Sequence, residues 1–152
     1  MDIDFNQITI VPAEKENEKH KMGLWEVYNE NIGINLITSE PITYEEHSKW
    51  WAGVFEKEYI FVIIYHSIVS GYIRLTKIEI GSKKKHEISI AIKKKFHNTG
   101  FGTKAYEKWE SLVKELGVKK IHALTMSNNK LGQNFFAKNN FKRVSIRFEK
   151  EL

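Results

Sequence analysis

The chain has 152 residues, 41% of them hydrophobic, with four Trp, nine Phe and no cysteine. That is enough apolar material for one folded domain over residues 1–152, and it excludes disulfides, Cys-ligated zinc and any thiol nucleophile. The formal charge of +5 favours an anionic partner; no run approaches the roughly 18 apolar residues of a membrane span, and neither a leader peptide nor a nucleic-acid reader motif is evident. A cytoplasmic protein with no membrane or nucleic-acid role is expected.

In chain order, Ile8 to Val11 reads as a strand ended by Pro12. A charged run from Glu14 to Lys21 leads into a partly apolar helix through Met22, Leu24, Trp25, Val27 and Tyr28, and Asn31 to Pro41, with Gly33 and Ser39, reads as a loop. Thr43 and Glu46 fit a capping box, so a helix carrying His47, Trp50 and Trp51 starts there and frays near Gly53. Those three side chains share one face. They read equally as a half-buried aromatic face or as the wall of an acceptor pocket.

Tyr59 to Tyr65 is nearly all β-formers and predicts a central strand buried on both faces. His66-Ser67 makes a turn into a strand from Ile68 to Ile80, in which Gly71 marks a bulge or a close backbone approach. Gly81 to Lys85 closes a hairpin into Glu87–Ile92, where Ile88, Ile90 and Ile92 alternate with small residues. A basic turn and the loop His97-Asn98-Thr99-Gly100-Phe101-Gly102-Thr103 follow. From Phe101 the period lengthens: Phe101, Ala105, Trp109, Leu112, Val113 and Leu116 make one helical stripe, ended by a left-handed cap at Gly117. Beyond it come a strand at Ile121–Thr125, a turn at Asn128–Lys130, a short helix bearing Leu131, Phe135 and Phe136, and a left-handed cap at Asn140. Phe141 to Phe148 alternates again and predicts a last strand with Val144, Ile146 and Phe148 on one side. The antiparallel strands form a meander, and parallel pairing begins after the long helix. The fold class is α/β (or α+β), with a mixed, mostly antiparallel sheet flanked by helices.

The strand, glycine loop and helix around Gly100 have a chemical use. The first turn of a helix has N–H groups without internal partners and a partial positive charge, and glycines let an anion approach the backbone. His97-Asn98-Thr99-Gly100-Phe101-Gly102 resembles the pyrophosphate loop of the GNAT superfamily of N-acetyltransferases, Q/R-x-x-G-x-G/A, with His97 in place of Gln or Arg. The closing part is similar to the family pattern N-x-x-A-x-x-x-Y-x-K-x-G-F through Asn129, Lys138 and Phe141; Gly132, Phe136 and Asn140 depart from it.

The resemblance implies direct acetyl transfer from acetyl-CoA, without a metal, to the primary amine of a small acceptor. It also implies these roles. The loop from His97 to Thr103 would hold the pyrophosphate, with Lys93 to Lys95 or Lys104 screening the nucleotide phosphates. Pantetheine would lie along Ile90, Ala91 and Ile92, with a backbone N–H near Ile90 or Ala91 stabilising the thioester oxygen. Asn129 and Phe136 complete the cofactor-binding set. Glu87 is the preferred base, with His47 and Glu79 in reserve. The acid is a gap: the family often uses a Tyr where Phe136 stands, leaving Tyr72, Tyr65, water or departure of a free thiolate. His47, Trp50, Trp51 and Arg74 are the acceptor candidates, in a pattern similar to the branch that acetylates nucleotide-linked deoxy amino sugars. A homodimer is compatible with this reading. The alternative is a CoA-binding or sensing module without turnover, motivated by His97 and Phe136.

Overall fold

A computed structural model describes residues 1–34, 40–81 and 83–152; Ser39 of the expected loop lies outside the described residues. The order is β1 (Ile8–Pro12), α1 (Glu18–Glu30), α2 (Tyr44–Val54), β2 (Glu58–Tyr65), β3 (Ile68–Ile80), β4 (Lys83–Ile92), α3 (Phe101–Glu115), β5 (His122–Ala123) and α4 (Lys130–Lys138). The strands lie side by side in that order, antiparallel from β1 to β4 and parallel between β4 and β5.

One sheet face carries Phe61, Ile63, Ile73, Leu75 and Ile88 against Phe101, Ala105, Trp109 and Val113 of α3. The other carries Ile60, Tyr72 and Ala91 against Leu24 and Val27 of α1 and Trp51 and Val54 of α2. This double cover explains the unbroken apolar run of β2, in which Ile60 to Ile63 are all buried. Several local signals hold as read. Thr43 and Glu46 form both bonds of the capping box, Gly117 (φ 83°) and Asn140 (φ 69°) are left-handed, and β3 is bulged opposite Ile63 and Ile64 beside Gly71. A Cβ on Gly71 would lie 2.7 Å from the Ala91 carbonyl oxygen, so that glycine lets β3 and β4 approach.

Two expectations fail. The strand expected over Ile121–Thr125 is reduced to His122–Ala123, paired with Glu87 and Ile88. The strand expected over Phe141–Phe148 is absent, with no regular element after Lys138. The two failures share a cause. A two-residue β5 offers almost no ladder to join, so Val144, Ile146 and Phe148 stay 79%, 62% and 88% exposed. Alternation shows that a segment can pair, not that an edge is there to receive it.

Candidate active site

The N-terminus of α3 is built by backbone geometry. Asn98 (φ 58°) and Gly100 (φ 85°) are both left-handed, and Gly100 takes the N-cap position without a capping side chain. Thr99 Oγ1 accepts the Phe101 N–H at 3.3 Å. The Gly102 and Thr103 N–H groups have no hydrogen-bond partner among the described residues, so two donors stand open at the positive end of a 15-residue helix. A Cβ on Gly102 would come within 3.3 Å of Ile92 Cδ1 and 3.6 Å of Phe135 Cε2, so bulk there is confined. These features fit an anionic group held by main-chain donors.

β4 supplies the second feature. The Lys93 N–H donates to the Ser70 carbonyl, and antiparallel ladders alternate, so Ala91 and Ser89 turn their main-chain groups to Tyr72 and Arg74 of β3. Ile90 and Ile92 turn theirs the other way, where β5 has already diverged beyond Ile88. This leaves an edge at Ile90 suited to an added extended chain. The Ile92 carbonyl is occupied: Asn31 Nδ2 donates to it at 2.9 Å and His97 Nε2 at 3.1 Å. His97 thus ties the loop back to the strand that precedes it.

The register brings a polar strip together on the α1/α2 side of the sheet. Glu87 lies opposite Thr76 on β3 and His122 on β5, and Ser89 lies opposite Arg74. Glu58 accepts two bonds from Arg74, at 2.8 Å from Nε and 2.7 Å from Nη2, and a third from Thr76 Oγ1 at 2.9 Å. The Arg74 guanidinium lies 4.8 Å from the Trp50 ring centre. Trp50 and Arg74 therefore meet on this side of the sheet.

His47 and Trp51 do not join them at the surface. Both are buried: His47 Nε2 donates to the Lys21 carbonyl and Trp51 Nε1 to the Lys15 carbonyl, each at 2.8 Å. Burial lowers the His47 pKa. These two side chains fasten α2 to the N-terminal segment rather than line an open face. Tyr72 is also buried, which pushes its hydroxyl pKa well above the ordinary value. Tyr65 packs on Phe96 and Phe101 and accepts the Asp4 N–H. Asn129 caps α4 by accepting the Gly132 N–H at 2.9 Å, and Phe136 is half-buried between Phe135 and Phe141.

Three residues of this region escape a linear reading. Asn31 and Glu58 meet their partners across 61 and 16 positions. His122 adjoins Glu87 only through the parallel register; burial first, then Lys85 and Lys120, lower its pKa, against Glu87.

The sequence model described as the acetyltransferase (GNAT) family matches residues 24–141. A search of curated proteins finds no match. Among solved structures, an N-acetyltransferase from Staphylococcus aureus Mu50 superposes with a TM-score of 0.73 at 21% identity, covering 91% of this chain and 85% of that one. The ribosomal-protein-alanine N-acetyltransferase of Brucella melitensis gives 0.74 at 15% identity, covering 90% and 86%. An aminoglycoside acetyltransferase from an uncultured soil metagenomic sample, in complex with sisomicin, gives 0.68 at 14%, covering 97% of both chains. At such identities the likeness carries the fold, and the differing acceptors in these names show that the fold does not choose among amines. With most of its length matched, the chain belongs to the acetyltransferase (GNAT) family, enzymes that move an acetyl group from acetyl-CoA.

Proposed function

We propose that this protein transfers the acetyl group of acetyl-CoA to the primary amine of a small acceptor, by direct attack while both are bound. The observation that carries the reading is the pair of open N–H groups at Gly102 and Thr103, set beside the unpaired edge of β4 at Ile90. Acetyl-CoA brings an activated thioester, a pyrophosphate for the α3 N-terminus and an amide-bearing arm for the β4 edge. The Ile90 N–H, directed away from β3, is better disposed to stabilise a developing oxyanion than that of Ala91, which the ladder uses.

Glu87 takes the amine proton, through water where the acceptor does not reach it. His122, its neighbour on β5 with a lowered pKa, is a second group able to accept a proton there. Phe136 has no proton to give, so the thiolate leaves unaided or with help from water; a thiol pKa of about 8.5 makes free departure feasible near neutral pH. Trp50 and Arg74 form the acceptor wall, with Glu58 holding the guanidinium. An amino group on a nucleotide-linked deoxy sugar is one acceptor consistent with this wall, alongside aminoglycosides and peptide N-termini.

The test is CoA release from acetyl-CoA across a panel of nucleotide-linked amino sugars, aminoglycosides, N-terminal alanine peptides and polyamines. Acceptor-dependent release with acetylated product supports the reading. Stabilisation by acetyl-CoA with no turnover on any amine supports a sensing module instead.

A further inference from the structure

At the end of the sheet remote from the α3 N-terminus, the start of β4 and the segment after α3 border a half-open cavity of about 470 Å³. Its walls carry Lys83, Lys84 and Lys85 on one side and Lys119 and Lys120 on the other. Among the described residues, none of these lysines makes an ion pair; Lys84 has Glu79 opposite it in the β3–β4 register. Lys83, Lys84, Lys119 and Lys120 are exposed and Lys85 half-buried. The five equal the net charge of +5 of the whole chain. Without them the protein would be electrically balanced.

The floor is not a plain solvated turn. Tyr59 and Leu116 line it, 43% and 58% exposed, and His122 borders it. Lys85 and Lys120, after burial, are among the causes that lower the His122 pKa, so the lysine charge reaches the residue bordering the cavity. The C-terminus of α3, which ends beside it, contributes about half a negative charge. Five ammonium groups outweigh that.

We infer that this lysine-walled cavity is a binding site for a small oligophosphate, a ligand with three or more linked phosphate groups. Charge on facing walls suits phosphates clustered on one molecule, and the volume lies within the roughly 300–1,000 Å³ of small-molecule pockets. Lysine serves phosphate as a point charge that needs no fixed fork. Tyr59, whose ring centre lies 5.4 Å from the Lys77 ammonium, offers an aryl surface for a base where the oligophosphate is a nucleotide. The site is separate from the loop at Gly100: the 15 residues of α3 hold the two about 22 Å apart. It does not depend on the acetyl-transfer reading, although His122 borders both this cavity and Glu87.

The experiment is an amide-shift titration of the full chain with inorganic tripolyphosphate and, separately, with ATP. Saturable shifts at Lys84 to His86 and Gly117 to Lys120 are expected with both probes, with ATP tighter where Tyr59 takes the base and the two equal where it does not. The paired reversals Lys85→Glu and Lys120→Glu should weaken tripolyphosphate by about tenfold or more, the worth of charge-assisted bonds. A matched pair of reversals on the exposed tail, Lys142→Glu with Lys150→Glu, should change it less than about twofold. Unchanged thermal midpoints confirm that both variants fold. Shifts confined to residues 98–103, equal weakening by both pairs, or tighter binding of a short RNA than of tripolyphosphate would overturn the inference.

Discussion

The side-chain amide of Asn31, just past the end of α1, donates to the Ile92 carbonyl at 2.9 Å and to the Val27 carbonyl at 2.8 Å. One fully buried residue thereby ties the helix end to the last residue of β4. Asn31→Ala should destabilise the protein by about 1–3 kcal/mol, the range for stranding buried polar groups. If β4 presents the cofactor edge, the same variant should raise the KM for acetyl-CoA more than it lowers kcat. Denaturant midpoints and initial rates read the two effects.

Gly102→Glu tests the α3 N-terminus. The position is helical and its nearest neighbour is the flexible Ile92 Cδ1, so the variant should fold. The carboxylate should repel the pyrophosphate and cover the open donors, weakening acetyl-CoA by about 100-fold, the worth of two charge-assisted bonds. Calorimetry on the folded variant measures it, and unchanged affinity would move the cofactor elsewhere.

Glu87→Gln keeps the shape beside Thr76 and His122 and removes the base. Turnover should fall by about 100-fold, with acetyl-CoA affinity unchanged and the acidic limb of the rate profile displaced. A rate unaltered across pH would pass the role to His122, and the double variant with His122→Gln then decides.

His20 gives the fold a pH dependence. Its Nδ1 accepts the Glu14 N–H at 3.1 Å, a bond that protonation of that nitrogen would break. Burial, partly opposed by Glu14, lowers its pKa, as burial does for His47. The unfolded chain, with histidines near 6.5, then binds protons before the folded one does. Stability is therefore full above about pH 6.5 and falls as acid takes the unfolded histidines first. Denaturant melts at about pH 7.5 and 5.5 should show the loss, and His20→Gln should reduce it, leaving the share of His47.

The β2–β3 turn holds His66 and Ser67 at φ 50° and 65°, values that glycine adopts freely and other residues adopt under strain. Ser67→Gly should raise stability by about 0.5–1 kcal/mol, a thermal midpoint shift of roughly 1–4 °C. Placing the change at Ser67 leaves the stacking of His66 on Tyr65 intact.

What could be read along the chain was whatever is encoded locally. The Thr43–Glu46 box, the left-handed caps at Gly117 and Asn140, the β2–β4 meander and the glycine-bearing entry to α3 each depend on a few consecutive residues. The misses are matters of partnership. Periodicity could not say that β5 would stop at Ala123, nor that Phe141–Phe148 would find no edge. It grouped His47 and Trp51 correctly on one helix face, but not what that face would meet, which was the backbone of Lys21 and Lys15. Glu58 carried no signal beyond being a carboxylate at the head of a strand, and His122 none until β5 lay beside Glu87.

The bond between Glu58 and Arg74 has an electrical consequence. Because the carboxylate cancels the guanidinium, the ground beneath Trp50 is close to neutral and does not turn away a positively charged amine. The lysines gather at another margin of the sheet. Such lopsidedness turns an incoming charged molecule before any contact forms, and dissolved salt should blunt that guidance.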